Sequence, residues 1–153
     1  MKQKVKQLLI CLIIPILGGF FVGLFINGAS VYTTLQKPPF SPPGIVFPIV
    51  WTILYFLMGI SSYLICKSYH RKRKQAIALY FGQLLLNFIW PILFFTCQSY
   101  FLALIELFIL LYVVIKMILL FYKINKSAGL LQIPYLLWLL FASYLNMAIV
   151  FLN

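Results

Sequence analysis

With 153 residues, 65% of them hydrophobic and only 8% charged, the chain falls far outside the composition of a water-soluble globular domain. Its twelve Lys and Arg against one acid give a formal net charge of +11, but they sit in short polar breaks between apolar runs. That placement suits orientation in a membrane and attraction to anionic headgroups, and it speaks against a nucleic-acid partner.

Runs of about 20 apolar residues are long enough to cross a bilayer, and in lipid a single run satisfies its backbone only as a helix. Five spans are expected, at about 5–27, 44–67, 76–97, 101–123 and 130–152, which makes residues 1–153 one all-α transmembrane domain. Lys2, Lys4 and Lys6 before the first run, with Asn27, Gly28 and Ala29 after it, have the outline of a secretory leader. The run is longer than the ~7–15 apolar residues of a leader, which favours a retained first helix. Gly19 and Gly23 in this span offer a close-packing site within the bundle.

Residues 28–43 form the longest connection, and Pro38, Pro39, Pro42 and Pro43 fix φ at four of its positions. Two readings stand: a rigid lid with Tyr32, Phe40 and Pro42 facing the bundle, or a stiff connector to the second span. In that span Trp51, Tyr55, Met58 and Ser62 share a face at helical spacing. Cys11, Cys66 and Cys97 belong to different spans and suggest neither a disulfide framework nor a metal site. His70, in the basic break that follows, has no acid or cysteine spaced beside it, and no metal ligand is expected.

On the third span Tyr80, Gln83, Asn87, Trp90 and Phe94 recur every three or four residues, and an amide at mid-membrane depth should turn away from lipid. Ala78 and Gly82 lie on the opposite face of the same span, a small-residue seam suited to a second copy of the chain. The fourth span carries Glu106, the only acid, and Lys116 near its basic end. The fifth carries Tyr135, Trp138, Ala142 and Leu145 or Asn146 on one face.

Counted from the ends opposite the basic breaks, Trp51, Trp90 and Asn146 lie roughly 10 Å in, Asn87 about 15 Å, and Gln83 and Trp138 about 20 Å. Trp138 is too deep for an interfacial belt, and Ala142 leaves room beside its ring. The spacing fits either a cavity or an ordinary helix interface. Pro15, Pro48, Pro91 and Pro134 fall within spans, and Pro91 should free the carbonyl of Asn87. Ten cations fall on one side of the five-span arrangement and only Lys37 in a loop on the other, so the N-terminus is expected inside and the C-terminus outside.

These residues resemble the TspO/MBR family, the tryptophan-rich sensory proteins related to the mitochondrial translocator protein. The matching stretches run from Tyr32 through Lys37-Pro38, Pro42-Pro43, Phe47-Pro48 and Trp51 to Tyr55, from Gln83 through Asn87 and Trp90 to Phe95, and from Leu130 through Pro134-Tyr135, Trp138 and Ala142 to Asn146. The resemblance implies a five-helix bundle in a bacterial plasma membrane, a homodimer through the third span, and a pocket closed by the first loop. It implies porphyrin (protoporphyrin IX) or haem as ligand, with sterols and benzodiazepine-type drugs for the mitochondrial relatives, and no required cofactor. By position, Trp51 and Trp138 would be the pocket tryptophans, surrounded by Tyr32, Pro42, Tyr55, Gln83, Asn87, Trp90, Ala142 and Asn146. Three roles stay open: light-dependent porphyrin breakdown through Trp51 and Trp138, non-enzymatic binding or transport, and sensing through protein partners.

The chain departs from the family where Val31, Phe40 and Ile45 stand in place of tryptophans and Pro91 in place of a small polar residue. After Tyr144 it lacks the basic residue of the sterol-recognition segment.

Overall fold

The computed structural model describes residues 2–26 and 28–153, without the side chains of Gly28 and Ala29. The helices are α1 (Lys2–Phe25), α2 (Gly28–Thr34), α3 (Val46–Cys66), α4 (Arg73–Pro91), α5 (Tyr100–Ile124), α6 (Lys126–Leu130) and α7 (Ile133–Leu152), with a π-helical turn, Ile92–Thr96, continuing α4. Among the described residues five stretches are long and apolar enough to cross a membrane: Lys2–Phe25, Val46–Cys66, Arg73–Thr96, Tyr100–Ile124 and Lys126–Leu152. All five expected spans are present, with shifted ends. The third starts at Arg73 because its guanidinium donates to the carbonyls of Ser68 (3.1 Å) and Cys66 (3.4 Å), which lets the cation open the helix. The last starts at Lys126, where the Asn125 side chain accepts from the Ala128 amide and caps the short α6.

α1 packs chiefly on α3, α4 on α5, and α5 on α7. α5 is the most enclosed of the spans and α1 the least. The main core joins Met58 and Ile65 of α3, Leu84 of α4, Leu107, Leu110, Val114, Met117 and Phe121 of α5, and Leu139 of α7. Ile10, Ile13, Leu17, Phe20 and Phe21 of α1 are exposed, an arrangement that is stable only where the surroundings are apolar. The bundle has a basic end, carrying the α3–α4 turn, and a lid end, where α1 finishes and α3 begins.

The prolines act differently from one another. Pro48 lies in the first turn of α3 and Pro134 at the start of α7, where backbone N–H groups have no intrahelical acceptor anyway, so neither breaks a helix. Pro15 and Pro91 lie inside helices. Immediately after Pro91 the chain switches to π geometry, with the Cys97 amide donating to the Ile92 carbonyl at 2.9 Å.

The connection expected as a loop over 28–43 begins with α2. Its Val31 and Leu35 bury against Phe94, Ala103 and Ile149 in a second core at the lid end. The strap beyond is tethered at several points. Tyr32 Oη donates to the Pro42 carbonyl (2.7 Å), and Lys37 Nζ donates to the Tyr32 carbonyl (3.1 Å) while lying 4.7 Å from the centre of that tyrosine's ring. The side chain of Asn153 accepts from the Gln36 amide and donates to its carbonyl, both at 3.0 Å, so the last residue clamps the lid. Tyr144 Oη adds a bond to the Pro39 carbonyl at 3.2 Å. Phe40 corrects an expectation: it faces away from the bundle, 89% exposed, because φ of +67° places it in the left-handed region and turns its ring outward.

Of the helix-packing glycines, Gly19 lies against the Tyr55 ring as expected, whereas Gly23 has open space beside it and does not pack within the bundle. Ala78 and Gly82 face outward on α4, and a methyl group added at Gly82 would meet nothing within 4 Å.

Candidate functional site

The three tryptophans converge at the lid end. Trp51 of α3 stacks on Tyr55 (5.4 Å between ring centres, 28°) and meets Tyr135 edge-on at 6.2 Å. Trp90 of α4 stacks on Phe94, and its indole N–H donates to Asn146 Oδ1 at 3.1 Å. Asn146 in turn donates to the Tyr100 carbonyl at 2.9 Å, which fixes α7 against the start of α5. Trp138 of α7 meets Phe47 edge-on at 5.8 Å, and Phe47 meets Tyr32 of α2 at 5.2 Å. Aromatic contact therefore runs from the lid through the first turn of α3 to the middle of α7.

Two small voids lie among these rings. One, of about 10 Å³, is bordered by Phe47, Trp51, Asn87, Trp90, Leu107, Leu110, Trp138, Leu139 and Ala142. The other, of about 20 Å³ and nearer the lid, is bordered by Tyr32, Phe47, Trp90, Phe94, Phe95, Trp138, Ala142, Leu145, Asn146 and Ile149. Phe47, Trp90, Trp138 and Ala142 belong to both walls. Neither void exceeds the room of a water-sized group.

Beneath the voids lies a buried polar chain. Tyr55 Oη donates to Asn87 Oδ1 (2.7 Å), Asn87 Nδ2 donates to Tyr135 Oη (3.0 Å), and Tyr135 Oη donates to Gln83 Oε1 (2.9 Å). It links α3, α4 and α7 and pairs both polar atoms of the Asn87 side chain and the Gln83 side-chain carbonyl, while Gln83 Nε2 has no partner among the described residues.

Trp51, Asn87, Trp90, Trp138, Ala142 and Asn146, from the helical stripes, border the voids, and so does Tyr32, from the connection read as a lid. Pro42, Tyr55 and Gln83 do not. Pro42 serves through its carbonyl, as the anchor for Tyr32. Tyr55 sits behind Trp51, and Gln83 is fully buried behind Tyr135. Spacing placed Tyr135 on the fifth-span stripe but gave little weight to Phe47, whose signal was its place one helical turn ahead of Trp51, at the end of the proline strap. His70 lies in the basic turn, accepting from the Lys72 amide, remote in the chain from every wall residue of the voids. Among the described residues no three His, Cys, Asp or Glu side chains converge as metal ligands.

Tyr32 is the one titratable wall residue outside the spans. Burial pushes its hydroxyl above the ordinary tyrosine range, offset in part by the Ser41 side chain.

Comparison with known proteins agrees with this arrangement. The TspO/MBR family profile matches residues 11–152. The chain is 41% identical over 148 residues to a tryptophan-rich protein TspO of Archaeoglobus fulgidus, covering 95% of this chain and 96% of that one. It is 37% identical over 139 residues to the translocator protein of Bos taurus (88% and 82%), and 34% identical over 131 residues to a tryptophan-rich sensory protein of Cereibacter sphaeroides (86% and 82%). With the match running through all five spans and every wall residue of both voids, the chain is a multi-pass membrane protein and belongs to the TspO/MBR family.

Proposed function

We propose that the protein binds a flat, hydrophobic tetrapyrrole of the porphyrin class between the lid and the Trp51–Trp138 wall. The observation that carries this reading is the shared wall of the two voids: Phe47 and Trp138 border both, directly under a tethered lid. Ligand sites commonly need about 300–1,000 Å³, so binding requires Phe47 to swing out and the voids to merge. A planar macrocycle then gains aromatic faces from Trp51, Trp90 and Trp138. Its polar edge meets the indole N–H groups of Trp51 and Trp138, which have no acceptor among the described residues. Drug-like aromatic ligands would use the same walls.

Titration of protoporphyrin IX in the dark against wild type and Trp138→Ala tests the binding. Saturable one-to-one binding weakened about tenfold by the substitution is expected; equal affinity for both proteins rejects the site.

Light- and dioxygen-dependent breakdown of the bound pigment is a second reading, favoured by the oxidisable indoles of Trp51 and Trp138 on the void wall. Illuminated porphyrin should then fade faster with wild type than with Trp51→Phe or Trp138→Phe, and equal loss in all three would exclude those indoles.

In this reading the basic end faces the cytoplasm of a bacterial plasma membrane, and the lid faces outward. The outward-facing Ala78 and Gly82 seam on α4 serves as the contact with a second copy.

A further inference from the structure

The bundle gathers its charge at one end. Of the twelve Lys and Arg, Lys37 alone stands at the lid end; the rest lie on the basic half of the spans or in the turns beyond them. A cation there runs against the bias that keeps Lys and Arg on the inner face, so its placement calls for a local reason. Part of that reason is structural. Lys37 Nζ donates at 3.1 Å to the carbonyl of Tyr32, in the last turn of α2, where a helix end favours a cation. That bond uses one of its three N–H donors, and among the described residues no other acceptor takes the remaining two. No acidic side chain pairs with it either: Glu106, the only acid, is buried in α5, and its carboxyl oxygens have no hydrogen-bond partner. The ammonium is nevertheless held in place. Gln36, the residue before it, is clamped through its amide and carbonyl by Asn153, Pro38 restricts the Lys37 backbone to extended conformations, and the centre of the Tyr32 ring lies 4.7 Å from Nζ. Tyr32 also borders the lid-side void and meets Phe47 edge-on at 5.2 Å. One residue thus touches the void and the lone cation at once.

We propose that Lys37 reads a carboxylate on the bound ligand, so that the pocket takes acidic tetrapyrroles, with a carboxylate arm at the lid, in preference to their neutral esters. This rests on the tetrapyrrole reading above and adds to it the ligand's charge and orientation. The wall indoles are neutral donors that serve an ester oxygen as well as a carboxylate, so they do not discriminate. An ammonium does, because its hydrogen bond to an anion is charge-assisted. Every residue bordering either void is uncharged. A carboxylate drawn in among them would lose its hydration without a counter-charge, whereas one at the lid keeps water on one side and gains Lys37 on the other. The arm therefore stays at the lid, and the neighbouring polar edge of the macrocycle runs from there down the wall toward the indoles. Lys37 is itself exposed, which keeps the preference modest.

The test titrates protoporphyrin IX and its dimethyl ester, in the dark, against the full chain in nanodiscs of zwitterionic lipid, as wild type, Lys37→Gln and Lys37→Arg. The ester carries the same macrocycle without the charges. Comparing proteins for one ligand at a time cancels that ligand's own partition into lipid. Lys37→Gln, which keeps a donor for the Tyr32 carbonyl, should weaken protoporphyrin IX about fivefold and change the ester less than about twofold. Lys37→Arg, which keeps the charge, should hold protoporphyrin IX within about twofold of wild type. Equal weakening of both ligands by Lys37→Gln overturns the proposal and leaves Lys37 a helix cap alone, and undiminished affinity of that variant for the acid overturns it too. Saturable binding of the ester to wild type separates these failures from failure of the pocket. If neither ligand saturates wild type, the tetrapyrrole reading falls and this one with it.

Discussion

Tyr55 donates to Asn87 across the α3–α4 interface at 2.7 Å, and this bond holds Trp51 on the lid side of the buried polar chain. Tyr135, from α7, closes the chain by accepting from Asn87 and donating to Gln83. The amides are thus floor supports beneath the voids, and the aromatic rings above them make the walls.

Tyr135→Phe removes two of the three bonds and leaves buried amide groups without partners. The expected cost is about 1–3 kcal/mol, toward the lower end for an interhelical bond in a membrane protein. A thermal melt in detergent should show it, with Tyr55→Phe milder because one bond is lost. An unchanged melting temperature for Tyr135→Phe would mean the chain contributes nothing to the bundle.

The glycines separate two kinds of helix face. Gly59→Ala forces α1 from α3 and should destabilise by about 1–3 kcal/mol, because the obstacle is the Leu12 backbone. Gly82→Ala meets open space and should leave the monomer as stable or up to about 1 kcal/mol more stable through helix propensity. If α4 pairs with a second copy through this seam, Gly82→Leu shifts chemical cross-linking toward monomer while the fold survives. Unchanged cross-linking would move the contact elsewhere.

Much of this was legible in the sequence. Apolar run length fixed the number of spans, and three-to-four spacing picked out the faces carrying Asn87, Trp90, Trp138 and Asn146. Spacing names a face but not what stands in front of it, which is why Gln83 looked like wall and is sealed behind Tyr135. α2 was illegible because Val31, Tyr32, Thr33 and Thr34 are poor helix formers, and the burial of Val31 and Leu35 overrides them. Phe40 was misplaced because the prolines signal stiffness, not the sign of φ at the residue between them.

The lid should respond to its clamp. Asn153→Ala removes two bonds to Gln36, so amide exchange over 31–45 should quicken about fivefold or more, as expected for the loss of roughly 1 kcal/mol. Phe40→Ala touches no wall and should leave both exchange and porphyrin affinity unchanged; a large effect of Phe40→Ala would contradict the lid geometry.

The Tyr32 anchor carries a pH signature. A hydroxyl raised on folding contributes fully below the unfolded value of 10.0 and loses that contribution as pH climbs through the higher folded value. Lid exchange, corrected for intrinsic rates, should therefore be flat between about pH 6 and about pH 9 and rise only in stronger alkali. Tyr32→Phe should abolish the alkaline rise, and its persistence in that variant would assign it to another group.

The most direct measurement is stopped-flow binding of protoporphyrin IX in the dark to wild type and Phe47→Ala. If Phe47 is the plug between the two voids, its removal raises the association rate about tenfold or more without abolishing saturation. Identical association rates would contradict the merging of the voids and with it the placement of the ligand.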